Sequence, residues 1–164
     1  MKMTLTEQEM FHAATVGVMR RLSAIRRNRS TPYGNPTAEL WRMDIESSAA
    51  EMVVGKWLGL YWNAVVDRPE TLKGDVGTVQ VRQTPLPNGR LILHDRDADD
   101  AIFVLVTGQY PTFDIAGWTY AREGKFAVYW ETHNGRNAYY YPQNRLYSPE
   151  TLPEFLEKRE EIHT

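Results

Sequence analysis

Between Gly74 and Thr84 the chain reads GDVGTVQVRQT, which brings an acid, an amide and a cation close together as Asp75, Gln80 and Arg82. Gln80 and Arg82 are two positions apart, so on a strand they share one face while Val79 and Val81 take the other. Asp75 precedes Gln80 by an odd count, and strict alternation would send it to the valine face. A turn or bulge at Gly77 shifts the phase by one and lets the three converge, because glycine tolerates the backbone this requires. So arranged, the oxygens of Asp75 and Gln80 suit a cation and the Arg82 guanidinium suits an anion. The plainer reading has Asp75 capping a turn while Gln80 and Arg82 face water.

Glu51 bears on that choice. It lies beside Ala50 and one helical turn from Ser47 and Gly55, at the rim of an apolar stripe rather than opposite it. A carboxylate there needs a partner or a cation. Its plain reading is an ion pair with Arg82 or Lys56; its functional reading is a third oxygen ligand, delivered from a helix to the strand site.

Periodicity gives the positioning elements. Thr4 or Thr6 caps an expected helix over 4–29, with Leu5, Met10, Ala13, Val16, Met19 and Ile25 near helical spacing. The loop NRSTPYGNP ends it, and a second helix is expected from Pro36 or Thr37 to about Trp62, with Leu40, Met43, Ala50, Val54, Trp57, Leu58 and Tyr61 in one stripe. After the turn-rich connection DRPETLKGD, the runs TVQVRQT, RLILHD, AIFVLVTG and FDIAGWTY read as strands of an antiparallel meander. Asn88-Gly89 signals a hairpin between the first two. AIFVLVTG is apolar throughout, as a central strand buried on both faces would be. A helical turn at AREGK, a strand around NAYYYP and a C-terminal helix over 149–161 complete a single α+β domain spanning 1–164.

Composition narrows the class. The 164 residues are 42% hydrophobic and 12% aromatic, too apolar for a disordered chain. There are no cysteines, so disulfides and thiolate metal sites are excluded. His12, His94, His133 and His163 show no metal-ligand spacing. No apolar run approaches the length of a membrane span and the start has no signal-peptide core, which favours a cytoplasmic protein without a membrane partner. Net charge is only −2. The arginines nonetheless cluster: Arg20, Arg21, Arg26, Arg27 and Arg29 close the first helix, where they suit either a DNA backbone or a solvated helix end. The turn DRDADD has Asp95, Asp97, Asp99 and Asp100 but lacks an EF-hand pattern, so it reads as an acidic turn tip. Trp118, Tyr120 and Tyr139 to Tyr141 are expected mainly in packing, with base stacking as the functional alternative.

Glu51 on a helix, Asp75 before a strand and the trio Gln80-Val81-Arg82 on it together resemble the PD-(D/E)XK nuclease superfamily, whose fold is shared by restriction endonucleases, Holliday-junction resolvases and phage exonucleases. Asp75 in KGDVG resembles the PD aspartate, and VQVRQT takes the place of the (D/E)xK strand. The stretch from LILHDRDADD to AREGK and the segment NAYYYPQNRLYSPETL are similar to the segments downstream of the motif in small phage-encoded members. The resemblance covers roughly residues 40–152. It implies a restriction-endonuclease-like mixed sheet flanked by helices and a phage-type DNA nuclease, in the host cytoplasm if phage-encoded, with a homodimer as one expected arrangement. It further implies Mg²⁺ or Mn²⁺ held by Asp75, Gln80, the Val81 carbonyl and Glu51. Two positions depart from the pattern. Gln80 stands for the usual acid and brings no charge; Arg82 stands for the usual lysine and, always protonated, clamps a phosphate rather than acting as a base. A nuclease-fold module that binds nucleic acid or protein without cutting is the alternative reading.

Overall fold

The computed structural model describes residues 1–29, 37–68 and 72–162. Most of the expected NRSTPYGNP loop, Pro36 as a helix start and the middle of DRPETLKGD lie outside the described residues.

Thr6 starts helix α1 (Glu7–Arg26) through a reciprocal cap: the Glu9 amide donates to its hydroxyl at 3.1 Å and its own amide donates to the Glu9 carboxylate at 2.7 Å. Helix α2 (Thr37–Leu58) lies against α1. Gly17 permits that approach, since a Cβ there would come within 2.5 Å of the Ile45 Cα. The helix stops at Leu58 rather than Trp62, because the Leu60 amide turns back to the Gly55 carbonyl at 2.9 Å.

Four strands form a mixed sheet in the order β1-β5-β4-β2. They are β1 (Lys2–Thr4), β2 (Val79–Thr84), β4 (Ile102–Gln109) and β5 (Thr112–Tyr120). The strand β1 precedes the expected helix and overlaps it only at Thr4, so the helix starts from the Thr6 cap. The apolar run of β4 is interior to the sheet and buried through Thr107, as its composition predicts. Ile102, Val104 and Val106 join Val79 and Val81 beneath α2 residues Ala49, Ala50, Val53 and Val54. Phe103 and Leu105 point the other way, onto Leu91, Leu93 and Tyr141.

That second face carries a separate three-stranded sheet of β3 (Leu91–Leu93), β6 (Trp130–His133) and β7 (Arg136–Tyr141), in the order β3-β7-β6. The expected meander is therefore corrected at two points. β2 pairs with β4 in parallel, and β3 pairs with β7 instead of forming a hairpin with β2. Pro85 and Pro87 have no amide hydrogen to extend a ladder from β2. The alternating Leu91 and Leu93 cover Phe103 and Leu105 instead.

The remaining elements are α3 (Ala121–Gly124) and α4 (Leu152–Ile162), the latter entered by a 3₁₀ turn over Pro149–Thr151. The fold is thus α+β, with four helices and two sheets among the described residues. Trp118 packs with Phe155 of α4 and with Tyr147 at ring distances of 4.8 Å, a core role rather than a stacking surface. Among the described residues no helix is long and apolar enough to cross a membrane.

Candidate functional site

β2 is an edge strand, and its open side is where Asp75 sits. Gly77 takes φ +58° and turns the chain so tightly that the Asp75 amide donates to the Val79 carbonyl at 2.8 Å. The phase shift expected at Gly77 is this turn. It lays Asp75 beside β2, where Oδ2 accepts the Val81 amide at 2.8 Å and so satisfies an edge N–H.

The other oxygen, Oδ1, receives Arg68 Nη1 at 3.0 Å. The same Nη1 donates to Gln80 Oε1 at 3.3 Å, so one cationic nitrogen is shared by the two expected metal ligands. Arg68 is anchored through Nη2 to the Leu72 carbonyl at 3.1 Å, and Gln80 through Nε2 to the Lys73 carbonyl at 2.8 Å. The arrangement holds the two oxygens against one guanidinium nitrogen.

Glu51 enters from α2 and lines, with Asp75, a cavity of about 200 Å³ between that helix and the start of β2. Its oxygens are engaged. Arg20 donates to both in a fork at 2.8 Å each, and the Trp62 indole donates to Oε2 at 2.9 Å. The partner is thus Arg20 rather than Arg82 or Lys56; Lys56 pairs with Glu9 at 2.9 Å. Burial lifts the Glu51 carboxyl above its usual range, Arg20 and Trp62 oppose that, and the nearby Asp75 charge adds to the rise. Arg20 is further tied to the Val65 carbonyl at 2.9 Å and to the Ser48 hydroxyl at 3.3 Å.

Arg82 shares the strand face of Gln80, as the alternation predicts, but does not line this cavity. Its guanidinium lies 4.7 Å from the Phe103 ring centroid and 3.3 Å from Asp97 Oδ1, opening onto a neighbouring cavity of about 300 Å³. Asp97 also accepts the His94 amide at 2.8 Å. Lys125 reaches into the same acidic turn to the Asp95 and Asp97 carbonyls and the Asp99 carboxylate.

The arginine run divides. Arg20 faces Glu51, and Arg21 Nε faces Asp44 Oδ2 at 2.6 Å with its side chain only 11% exposed. Arg26 and Arg27 stay at the surface around Asp67, at 3.8 and 2.9 Å. Ser23 and then the neighbouring arginines hold the Asp67 carboxyl below its usual value.

Among the described residues no three His, Asp or Glu side chains group as a ready metal shell. Asp75 and Gln80 meet at Arg68 as a carboxylate and amide pair; Asp75 shares its cavity with Glu51, which Arg20 holds, and Gln80 does not line that cavity. Sequence reasoning missed Arg68 and Trp62. Both lie in the connection between α2 and β2, which has no periodicity to single them out. No protein-family model, curated protein or solved structure matches this chain.

Proposed function

We propose that the chain is a Mg²⁺-dependent nuclease of the PD-(D/E)XK type that hydrolyses phosphodiesters in DNA. The observation that carries this reading is the sharing of one cationic nitrogen by Asp75 Oδ1 and Gln80 Oε1, with Glu51 on the cavity that Asp75 lines. The donors are all oxygens, as a hard divalent ion requires, so Asp75 and Gln80 fit Mg²⁺ or Mn²⁺ as two of its ligands. When bound, such an ion supplies charge for the phosphoryl oxygens and a water of lowered pKa.

The chain's own groups do the rest. Asp75 is fixed by the Val81 amide, so its Oδ1 stays aimed at the site. Arg82, on the strand face of Gln80 and always protonated, holds a phosphate oxygen from the neighbouring cavity and cannot serve as the base. Glu51, paired with Arg20 and bonded by Trp62, shapes the cavity wall beside Asp75. Arg26 and Arg27 are the members of the basic run at the surface, around Asp67, and in this reading they meet a DNA backbone.

A second reading has its own support: both Glu51 oxygens are engaged and Arg68 already balances Asp75 and Gln80. In that case the protein binds nucleic acid without cutting it. Incubation with linear, nicked, branched and single-stranded DNA in Mg²⁺, Mn²⁺ or EDTA separates the two. Metal-dependent cutting that Asp75→Ala abolishes supports the nuclease. Retention of DNA with no cutting, unchanged in Asp75→Ala, overturns it.

A further inference from the structure

The three-stranded sheet has two faces of different character. One is sealed against Phe103 and Leu105. The other bears Ile92, which is exposed, and Tyr140, which is half-buried, paired across β3 and β7. This outer face floors a cleft of about 540 Å³, within the range of ligand-sized sites. Trp130 stands at its side with 38% of its surface exposed, against the Tyr139 ring at 4.7 Å. Arg96 and Arg136 line the same cleft.

Two observations specify an occupant. The first is a combination of chemistry. An exposed indole beside guanidinium groups matches flat bases joined by anionic phosphates. Of the acids near the cleft, Glu131 is paired with Arg90 at 2.8 Å, and Asp95, which accepts the Tyr139 hydroxyl at 2.9 Å, is outnumbered on the lining by Arg96 and Arg136. His94, also on the cleft, is held below its usual pKa by burial first, with Arg82 and Arg96 contributing.

The second is continuity. The cleft and the cavity beside Arg82 share Ile92 and Tyr140 as a common wall. Arg90 lies over the Tyr140 ring at 4.8 Å on that wall, and the His133 ring approaches Tyr140 at 4.6 Å. A path therefore runs from Arg82 of β2, past Arg90 and Tyr140, to Trp130, Arg96 and Arg136.

We infer that this path is a track for one single strand of nucleic acid, whose bases stack on Trp130, beyond the Tyr140 ring that Arg90 covers, while Arg96 and Arg136 face its phosphates. A duplex keeps its base faces inside its own stack and offers the indole nothing comparable. As the strand that leads to the Arg82 end of the site, the inference deepens the nuclease reading, yet its binding step needs no metal.

The test uses the full-length protein in EDTA, with fluorescence anisotropy of a labelled single strand of about 15 nucleotides, a length one such surface can hold, and of its duplex. The single strand is expected to bind more tightly than the duplex. Trp130→Ala should weaken it about tenfold, and Arg96→Gln should lower the slope of log affinity against log salt by about 0.7. Should Trp130→Ala fail to fold by circular dichroism, the solvent-facing Arg96→Gln decides alone. Equal affinity for duplex and single strand, or wild-type affinity and salt slope in the folded variants, overturns the track. Loss of strand binding in Trp130→Ala without any Mg²⁺-dependent cutting by the wild type leaves the track standing and removes the nuclease. Cutting by the wild type with unaltered binding in both variants does the reverse.

Discussion

Arg68 Nη1 lies 3.0 Å from Asp75 Oδ1, and the same atom touches Gln80, so the cation at the proposed metal position is one the chain carries itself. The Arg68 side chain is 40% exposed, and an ion pair so placed contributes on the order of 0–1 kcal/mol. A divalent ion can therefore displace it at small cost, and the guanidinium acts as a weak competitor. Arg68→Gln should tighten Mn²⁺ binding by up to about fivefold, the factor equivalent to ~1 kcal/mol. Titration calorimetry checks this, with Asp75→Ala as the variant expected to bind none. Equal affinity in wild type and Arg68→Gln would show that Arg68 does not compete.

The pair Arg20–Glu51 predicts stability rather than ion binding. Both side chains are largely buried, at 20% and 10% exposure, and are joined by two hydrogen bonds. Removing one partner strands a charge in a poorly solvated place, which costs about 3–5 kcal/mol. Glu51→Leu and Arg20→Met should each unfold at markedly lower denaturant, while the double variant recovers most of the loss. Equilibrium urea unfolding of all four proteins measures the coupling. Additive losses would show that the two residues are stabilised independently.

The legibility of this site in the sequence followed the range of the interactions. Alternation along VQVRQT and the glycine at 77 are local, and they placed Gln80 and Arg82 on one face and Asp75 beside them. The buried run of β4 was legible for the same reason, since its composition alone demands an interior strand. What could not be read was long-range. Arg20 looked like part of a solvated helix end, but α1 crosses α2 closely at Gly17 and turns that arginine onto Glu51, thirty-one positions away. The turn at Asn88-Gly89 read as a hairpin, yet β3 finds its partner at β7, because covering Phe103 and Leu105 outweighs a local turn preference. Arg68 sits in a connection without periodicity, which leaves no pattern to read.

The small sheet carries a pH signature. Glu131 is held down to about 2, first by the Arg90 fork and then by His133. A carboxyl with a folded pKa below its ordinary 4.5 contributes stability that is present above pH 4.5 and is lost as pH falls toward 2. Thermal unfolding of the wild type should therefore weaken across that window more steeply than that of Glu131→Gln. Above the window, Glu131→Gln should be the less stable of the two. Parallel curves for both proteins between pH 5 and about 2 would mean that Arg90 and His133 do not favour the ionised form.

Gln80 is where charge is missing. Its Oε1 shares the Arg68 nitrogen with Asp75, but an amide oxygen offers a divalent ion only a dipole. Gln80→Glu restores a second carboxylate at that point. It also strengthens the hold of Arg68, so the gain seen in the single variant is the difference of two effects. Combining Gln80→Glu with Arg68→Gln removes the competitor and isolates the contribution of the new charge. Mn²⁺ affinity is expected to rise in the order wild type, Gln80→Glu, double variant, with the last step larger than that of Arg68→Gln alone. The coupling arises because a guanidinium held by two carboxylates competes harder than one held by a carboxylate and an amide. A double variant that binds Mn²⁺ no better than Arg68→Gln would show that Gln80 faces Arg68 without facing the ion, and Asp75 would then have to hold the metal without help from β2.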